Sequence, residues 1–127
     1  MTILAYDENN VFAKIIAGQI PANKVYEDDK ILAIHDINPV APVHVLVLPK
    51  GHYIDYSDFI QKASAEEVTH YFSKLGEIIQ LLDLNSKSYR LVTNKGQESG
   101  QTIFHFHTHI IGGRRLVGRV GDSRETI

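Results

Sequence analysis

The chain predicts an α+β domain built on an antiparallel sheet, and three observations predict it. Taken in order, the elements read as helix, hairpin, strand, long helix, strand and strand. The two β-favouring runs around Asp28-Asp29-Lys30 have the form of a hairpin. The long helix carries a single apolar stripe, which needs a sheet to cover it. A length of 127 residues fits one domain, 1–127, with a core of its own and a C-terminal tail over 115–127.

Asp7 to Asn10 offer several N-caps ahead of Val11, Phe12, Ile15 and Ile16, whose spacing marks one apolar face of a short helix. Gly18 and Pro21 end it. Read from spacing alone, those apolar residues are core. Lys24 to Glu27 and Ile31 to Asp36 form the hairpin strands, and Leu32, Ile34 and Asp36 share a face of the second. An aspartate at a strand end is ordinarily a turn or cap residue, and spacing assigns His35 no chemistry.

Asn38-Pro39-Val40-Ala41-Pro42 forces a loop, because neither proline can donate to a ladder. Val43 to Leu48 is then an apolar strand covered on both faces, interrupted by His44, which alone would be a hydrogen-bonded core histidine. His52, after Pro49-Lys50-Gly51, reads as a loop residue.

Ser64-Ala65-Glu66-Glu67 is a capping box opening the long helix. Val68, Tyr71, Phe72, Leu75, Ile78, Ile79 and Leu82 make its stripe, and burying them contributes on the order of 10 to 20 kcal/mol of gross transfer free energy, mostly offset by chain ordering. His70 falls off the stripe and is expected in solvent. Asp83 to Lys87 is a polar break, and Tyr89 to Thr93 is a strand. It leads into Asn94-Lys95-Gly96-Gln97-Glu98-Ser99-Gly100-Gln101-Thr102, a polar loop that is either an ordinary solvated connection or a cradle for an anion.

That loop runs into His105-Phe106-His107-Thr108-His109-Ile110-Ile111-Gly112-Gly113, which holds three of the seven histidines. In an extended strand the three imidazoles would project from one face, their roots roughly 6 to 7 Å apart. Two chemistries are open to such a cluster. The imidazoles could bind zinc, or the central one could be a nucleophile with the outer two donating to charge that builds on the substrate. No sequence-local carboxylate completes a familiar metal set, which favours phosphoryl chemistry.

Bulk properties set limits. Hydrophobic content of 43% and charged content of 22% are those of a globular protein. A net charge of −2 argues against a general nucleic-acid binder. The absence of cysteine excludes disulfides and thiolate metal sites. The start of the chain lacks the pattern of a secretory signal, and no stretch approaches the roughly 20 apolar residues of a membrane helix. A soluble, cytoplasmic protein with no membrane partner is the expectation.

The pattern His105, His107, His109 followed by Ile110 and Ile111 resembles that of the histidine triad family, with Thr108 somewhat polar for its place. Gly100-Gln101-Thr102 and Gly112-Gly113-Arg114 resemble its branch of nucleoside phosphoramidate hydrolases, and the likeness extends over 31–37, 42–50 and 89–94. The resemblance implies about five strands with one short and one long helix, and a homodimer whose sheets join edge to edge. It implies that Val11, Phe12, Ile15, Ile34 and Ile37 hold the nucleobase, that Asp36, beside His35, accepts from the ribose hydroxyls, and that Asn94, Gly100, Gln101 and Thr102 position the phosphate. His107 would be the nucleophile, supported by His105, His109 and His44. The expected substrate is a purine nucleoside 5′-phosphoramidate, cleaved through a nucleotidyl-histidine with no metal or cofactor.

Dinucleoside polyphosphate hydrolysis and a nucleotide-binding scaffold role are the alternatives, with a zinc protein third. The tail from Arg114, with Arg115, Arg119 and Arg124, is either solvated or packed on a partner subunit. It lacks any aromatic residue, and that departs from the branch.

Overall fold

β1 (Lys24–Glu27), β2 (Ile31–His35), β3 (Val43–Pro49), β4 (Tyr89–Val92) and β5 (Thr108–Gly112) form one sheet in the computed structural model, which describes residues 5–116. The strand order is β1-β2-β3-β5-β4 and every neighbouring pair is antiparallel. The α+β, five-stranded expectation is met. β1, β2 and β3 form a meander, after which the chain leaves the sheet and β5 returns to pair with both β3 and β4.

Among the described residues three α-helices accompany the sheet, not two: α1 (Val11–Ile16), α2 (Tyr56–Lys62) and α3 (Ala65–Leu81). Asn10 caps α1, its side chain accepting from the Ala13 amide at 2.9 Å. Ser64 caps α3 by accepting from Glu67 N at 3.0 Å, one half of the expected capping box, and the Glu67 carboxylate accepts from the Tyr53 hydroxyl at 3.0 Å. The helix missing from the sequence reading is α2. It is opened by Asp55, which accepts from Asp58 N at 2.8 Å, and its one fully buried residue is Phe59. A helix of two turns with a single buried side chain leaves no periodicity to detect.

β2 and β3 are buried on both faces. On one face Ile31, Ala33, Val45 and Val47 pack with Phe106 and Ile110 against Phe59 and against Tyr71, Leu75, Ile78 and Ile79 of α3. The Tyr71 hydroxyl donates to Val47 O at 2.9 Å and bonds the Thr108 hydroxyl at 2.8 Å, so the polar atoms on this face are paired. On the other face Leu32, Ile34, Leu46 and Leu48 meet only Phe12 and Ile15 of α1 with a few partly buried neighbours. Phe72 departs from the predicted stripe and is 42% exposed. It lies at the margin of the arc whose centre is Tyr71 and Leu75. His70 is not simply solvated either: its Nε2 bonds Asp28 Oδ2 at 2.9 Å, bridging α3 to the hairpin turn.

The glycine pair that ends β5 answers to close packing. A Cβ on Gly112 would come within 3.1 Å of Leu84 Cδ2, and Gly113 has a φ of 92° with Pro42 Cβ 3.0 Å from where its own Cβ would be. Among the described residues no helix is long and apolar enough to cross a membrane. The expectations for Arg119, Arg124 and the rest of the tail from residue 117 lie outside the described residues.

Candidate active site

β5 begins at Thr108, so His105 and His107 lie in the segment entering it and only His109 is inside the ladder. The predicted alternation persists. Phe106, Thr108 and Ile110 turn toward α3, while the rings of His107 and His109 lie on the opposite side with centroids 5.0 Å apart. Register places His109 across from Leu46, which in turn pairs with Ile34, so the imidazole stands in a row with apolar side chains of the α1 face.

Hydrogen bonds fix which nitrogen of each ring carries the proton, because a carbonyl oxygen and a main-chain N–H each have only one role. His107 Nδ1 donates to the carbonyl of His105 at 2.6 Å, which leaves His107 Nε2 with its lone pair. Val40 N–H donates to His44 Nδ1 at 3.1 Å, so His44 Nε2 holds a proton, and it donates to His109 Nδ1 at 2.8 Å. His109 is thereby left with Nε2–H as a donor. His44 Nε2 also lies 3.4 Å from Asp36 Oδ2. The Thr93 hydroxyl donates to the His107 carbonyl at 2.7 Å, steadying the main chain of the central histidine.

These rings are neutral near pH 7. Burial pushes His105 down to about 4 and His109 to about 3, and it lowers His107 and His44 as well. A neutral His107 with a free Nε2 has the electronic form a nucleophile needs.

Beside His107 and His109 opens a cavity of about 410 Å³, within the range of small-ligand sites. Its walls include the predicted Val11, Phe12, Ile15, Ile34, His35, Asp36, Ile37, Asn94, Gly100, Gln101 and Thr102, together with both histidines. The ring of Phe12 meets that of His107 edge-on, with centroids 4.9 Å apart. Ile37 is 91% exposed, a large apolar side chain at the rim with nothing packed on it. Ile20, Pro21, Ala22, Asn38, Leu46 and Ile103 also line the cavity. Sequence reading missed them because a helix stop, a turn and a strand interior look structural until the fold closes them round a void.

Two expectations are corrected. His105 does not reach the cavity: it is fully buried, its Nε2 donates to Pro49 O at 2.7 Å, and its Nδ1 accepts from the Tyr6 hydroxyl at 2.5 Å. Both nitrogens are occupied, so it cannot donate to a substrate oxygen, and its contribution to the site is the carbonyl that orients His107. Gln101 is likewise spent internally. Its carboxamide donates to Ile54 O at 2.8 Å and Ile103 O at 3.2 Å and accepts from Gly96 N at 2.8 Å, while its own amide bonds Gly96 O at 3.1 Å. The loop is thus laced to the segment before α2, with Lys95 Nζ 3.7 Å from Asp55 Oδ2 as a second tie. Thr102 remains exposed on the cavity wall.

Among the described residues, the group with ligand atoms close enough to share a metal ion is Asp36, His44 and His109, within 4.8 Å of one another, and not the three alternating imidazoles. In this arrangement the two ring nitrogens share a proton at 2.8 Å, closer than two nitrogens about 2 Å from one tetrahedral zinc would stand.

A family model described as the HIT domain matches residues 17–116. An uncharacterised HIT-like protein of Rickettsia prowazekii (strain Madrid E) is 56% identical over 118 residues, covering 93% of this chain and 98% of its own. Among solved structures, a HIT family hydrolase from Clostridium thermocellum superposes with a TM-score of 0.80 at 40% identity, over 89% of this chain and 97% of that one. A hypothetical histidine triad nucleotide-binding protein from Sulfolobus tokodaii strain7 gives 0.67 at 35% identity, over 79% of this chain and 66% of that one.

Proposed function

The chain belongs to the HIT domain family, and from that premise we propose that it is a nucleotide hydrolase that cleaves the P–N bond of purine nucleoside 5′-phosphoramidates. The observation that carries the reading is the state of His107: neutral, its Nδ1–H tied to the His105 carbonyl, its Nε2 unprotonated on the wall of a cavity lined by both apolar and polar residues. The names of the Clostridium thermocellum and Sulfolobus tokodaii relatives, a hydrolase and a nucleotide-binding protein, support the same class.

In the proposed reaction His107 Nε2 attacks phosphorus, the bond to the amine nitrogen breaks, and the amine leaves with a proton from solvent. The ring becomes cationic, and its Nδ1–H bond to the carbonyl strengthens as it does so. Water then attacks the phosphorus, the P–Nε2 bond breaks, and the nucleotide leaves with His107 restored. One hard displacement becomes two easier ones. His109 Nε2–H and Thr102 would donate to the phosphoryl oxygens, the main source of rate in phosphoryl transfer. Phe12, Ile15 and Ile34 would take the base, and Asp36 the ribose hydroxyls.

Mass spectrometry of a quenched reaction tests this directly. A nucleotide attached to His107 is the expected result, and turnover without any adduct on the protein would sink the mechanism. Relative rates on an adenosine phosphoramidate and a diadenosine polyphosphate separate the two substrate classes, and the first is expected to be faster. We also infer a homodimer. β4 is a sheet edge whose Tyr89 and Leu91 are 41% and 42% exposed, and pairing would cover it. Sedimentation should give twice the chain mass.

A further inference from the structure

Tyr6 precedes α1 and lies outside every motif that marked the site. Its ring is stacked on that of His52, with centroids 4.3 Å apart and planes at 8°, and its hydroxyl reaches His105 Nδ1 at 2.5 Å. His105 is fully buried, where a ring nitrogen without a partner carries the whole cost of lost hydration. Because Nε2 donates to Pro49 O at 2.7 Å, it holds the single proton of the neutral ring, and Nδ1 requires a donor. The phenol supplies it, and partial burial of Tyr6 raises its pKa, so the proton stays on oxygen.

The same residue's carbonyl accepts from His107 Nδ1 at 2.6 Å. The far side of that peptide group is held by Phe106 N–H, which donates to Tyr53 O at 2.7 Å. The near side is held through the His105 ring, pinned at one nitrogen to β3 and at the other to Tyr6.

We propose that Tyr6 is a positioning residue for His107: its hydroxyl satisfies the buried Nδ1 of His105 and anchors that ring, and the anchored ring steadies the carbonyl that keeps His107 Nε2 free to attack phosphorus. This rests on the reading of His107 as the nucleophile. No bond forms or breaks at Tyr6, and its effect on the chemistry passes entirely through His105.

Tyr6→Phe keeps the ring and its stack on His52 and removes only the oxygen. The test measures this variant in the full chain by nitrogen-15 NMR of the histidine rings in the free protein, and by steady-state kinetics on an adenosine phosphoramidate. In the unaltered protein, His105 is expected to show a protonated Nε2 and an unprotonated Nδ1. In Tyr6→Phe the proton should stay on Nε2, held by Pro49 O, while the Nδ1 signal of His105 shifts downfield as it loses its hydrogen-bond donor.

The kcat should fall roughly fivefold with KM within about twofold of the unaltered value, since neither Tyr6 nor His105 lines the cavity. Unchanged His105 ring signals, an unchanged kcat, or a loss of kcat matched by a rise in KM would each overturn the proposal. The ring-nitrogen measurement needs no substrate. It therefore decides the role of Tyr6 even where the unaltered protein cleaves no phosphoramidate, a result that would remove the nucleophilic reading of His107 instead.

Discussion

The two faces of the sheet share the same strands and differ in what covers them. On one, α3 lays 17 residues across β2, β3 and β5, and Phe59, Tyr71 and Phe106 fill the remaining space with ring contacts about 5 Å between centroids. On the other, α1 has only six residues, and the area it leaves uncovered is the cavity beside His107 and His109. The lesson is that the site arises from incomplete cover over a sheet whose opposite side is fully packed. The packed face supplies the stability that lets the other remain open.

The sharpest way to break this contrast is to show that the open face holds no chemistry. His107→Ala should lower turnover by at least about a thousandfold with nucleotide affinity largely kept, measured by single-turnover rates and titration calorimetry. Near-normal turnover would end the assignment. Phe59→Ala, on the packed face, should cost about 3 to 5 kcal/mol in urea unfolding, because the ring is fully buried against Tyr71 and Phe106. Activity per folded molecule should survive. A variant as stable as the parent would mean that this face is not the scaffold.

Acid sharpens the comparison further, since the depressed histidines belong to the open face. His105 and His109 have folded pKa values of about 4 and 3, against about 6.5 in an unfolded chain. Between those values the unfolded state binds protons that the folded state refuses, so stability is full above about pH 6.5 and declines as pH falls toward 4. His105 alone accounts for about 3 kcal/mol over that window. Glu27 and Asp28, held down to about 2 by their hydrogen bonds, lose their contribution only at lower pH. A urea midpoint that stays flat from pH 7 to pH 4.5 would contradict the neutral, buried assignment. The smallest expected effect is that of Asp36→Asn, which should weaken nucleotide binding about tenfold with little change in the rate of bound substrate. An unchanged affinity would remove Asp36 from the ribose site.

Much of this was legible in the sequence, for reasons that differ by residue. The Ser64 cap, the Asn10 cap among those offered over 7–10, and the strand 24–27 are local signals that lie where the spacing put them, while the strand expected over 31–36 ends one residue earlier, at His35. The resemblance to a known family supplied the cavity-lining set, which spacing alone had left as core and turn. What escaped were facts created by distant contacts. Tyr6 and His105 are separated by 99 positions, and Gln101 and Ile54 by 47, so no window of sequence could show that one side chain would consume the other's hydrogen-bonding capacity. Phe72 fitted the helical period, and only the sheet's actual width shows that it falls outside the covered arc.

The strand order carries a consequence for biosynthesis. β1, β2 and β3 can pair as soon as they emerge, but the place beside β3 stays vacant until β5 arrives to fill it, with Val43 joined to Gly112. His107 and His109 come with that later segment. A ribosome-bound chain lacking it would display an unsatisfied strand edge, a sticky and temporary surface. The arrival of β5 therefore closes that border and completes the cavity wall beside His107 and His109 in the same event.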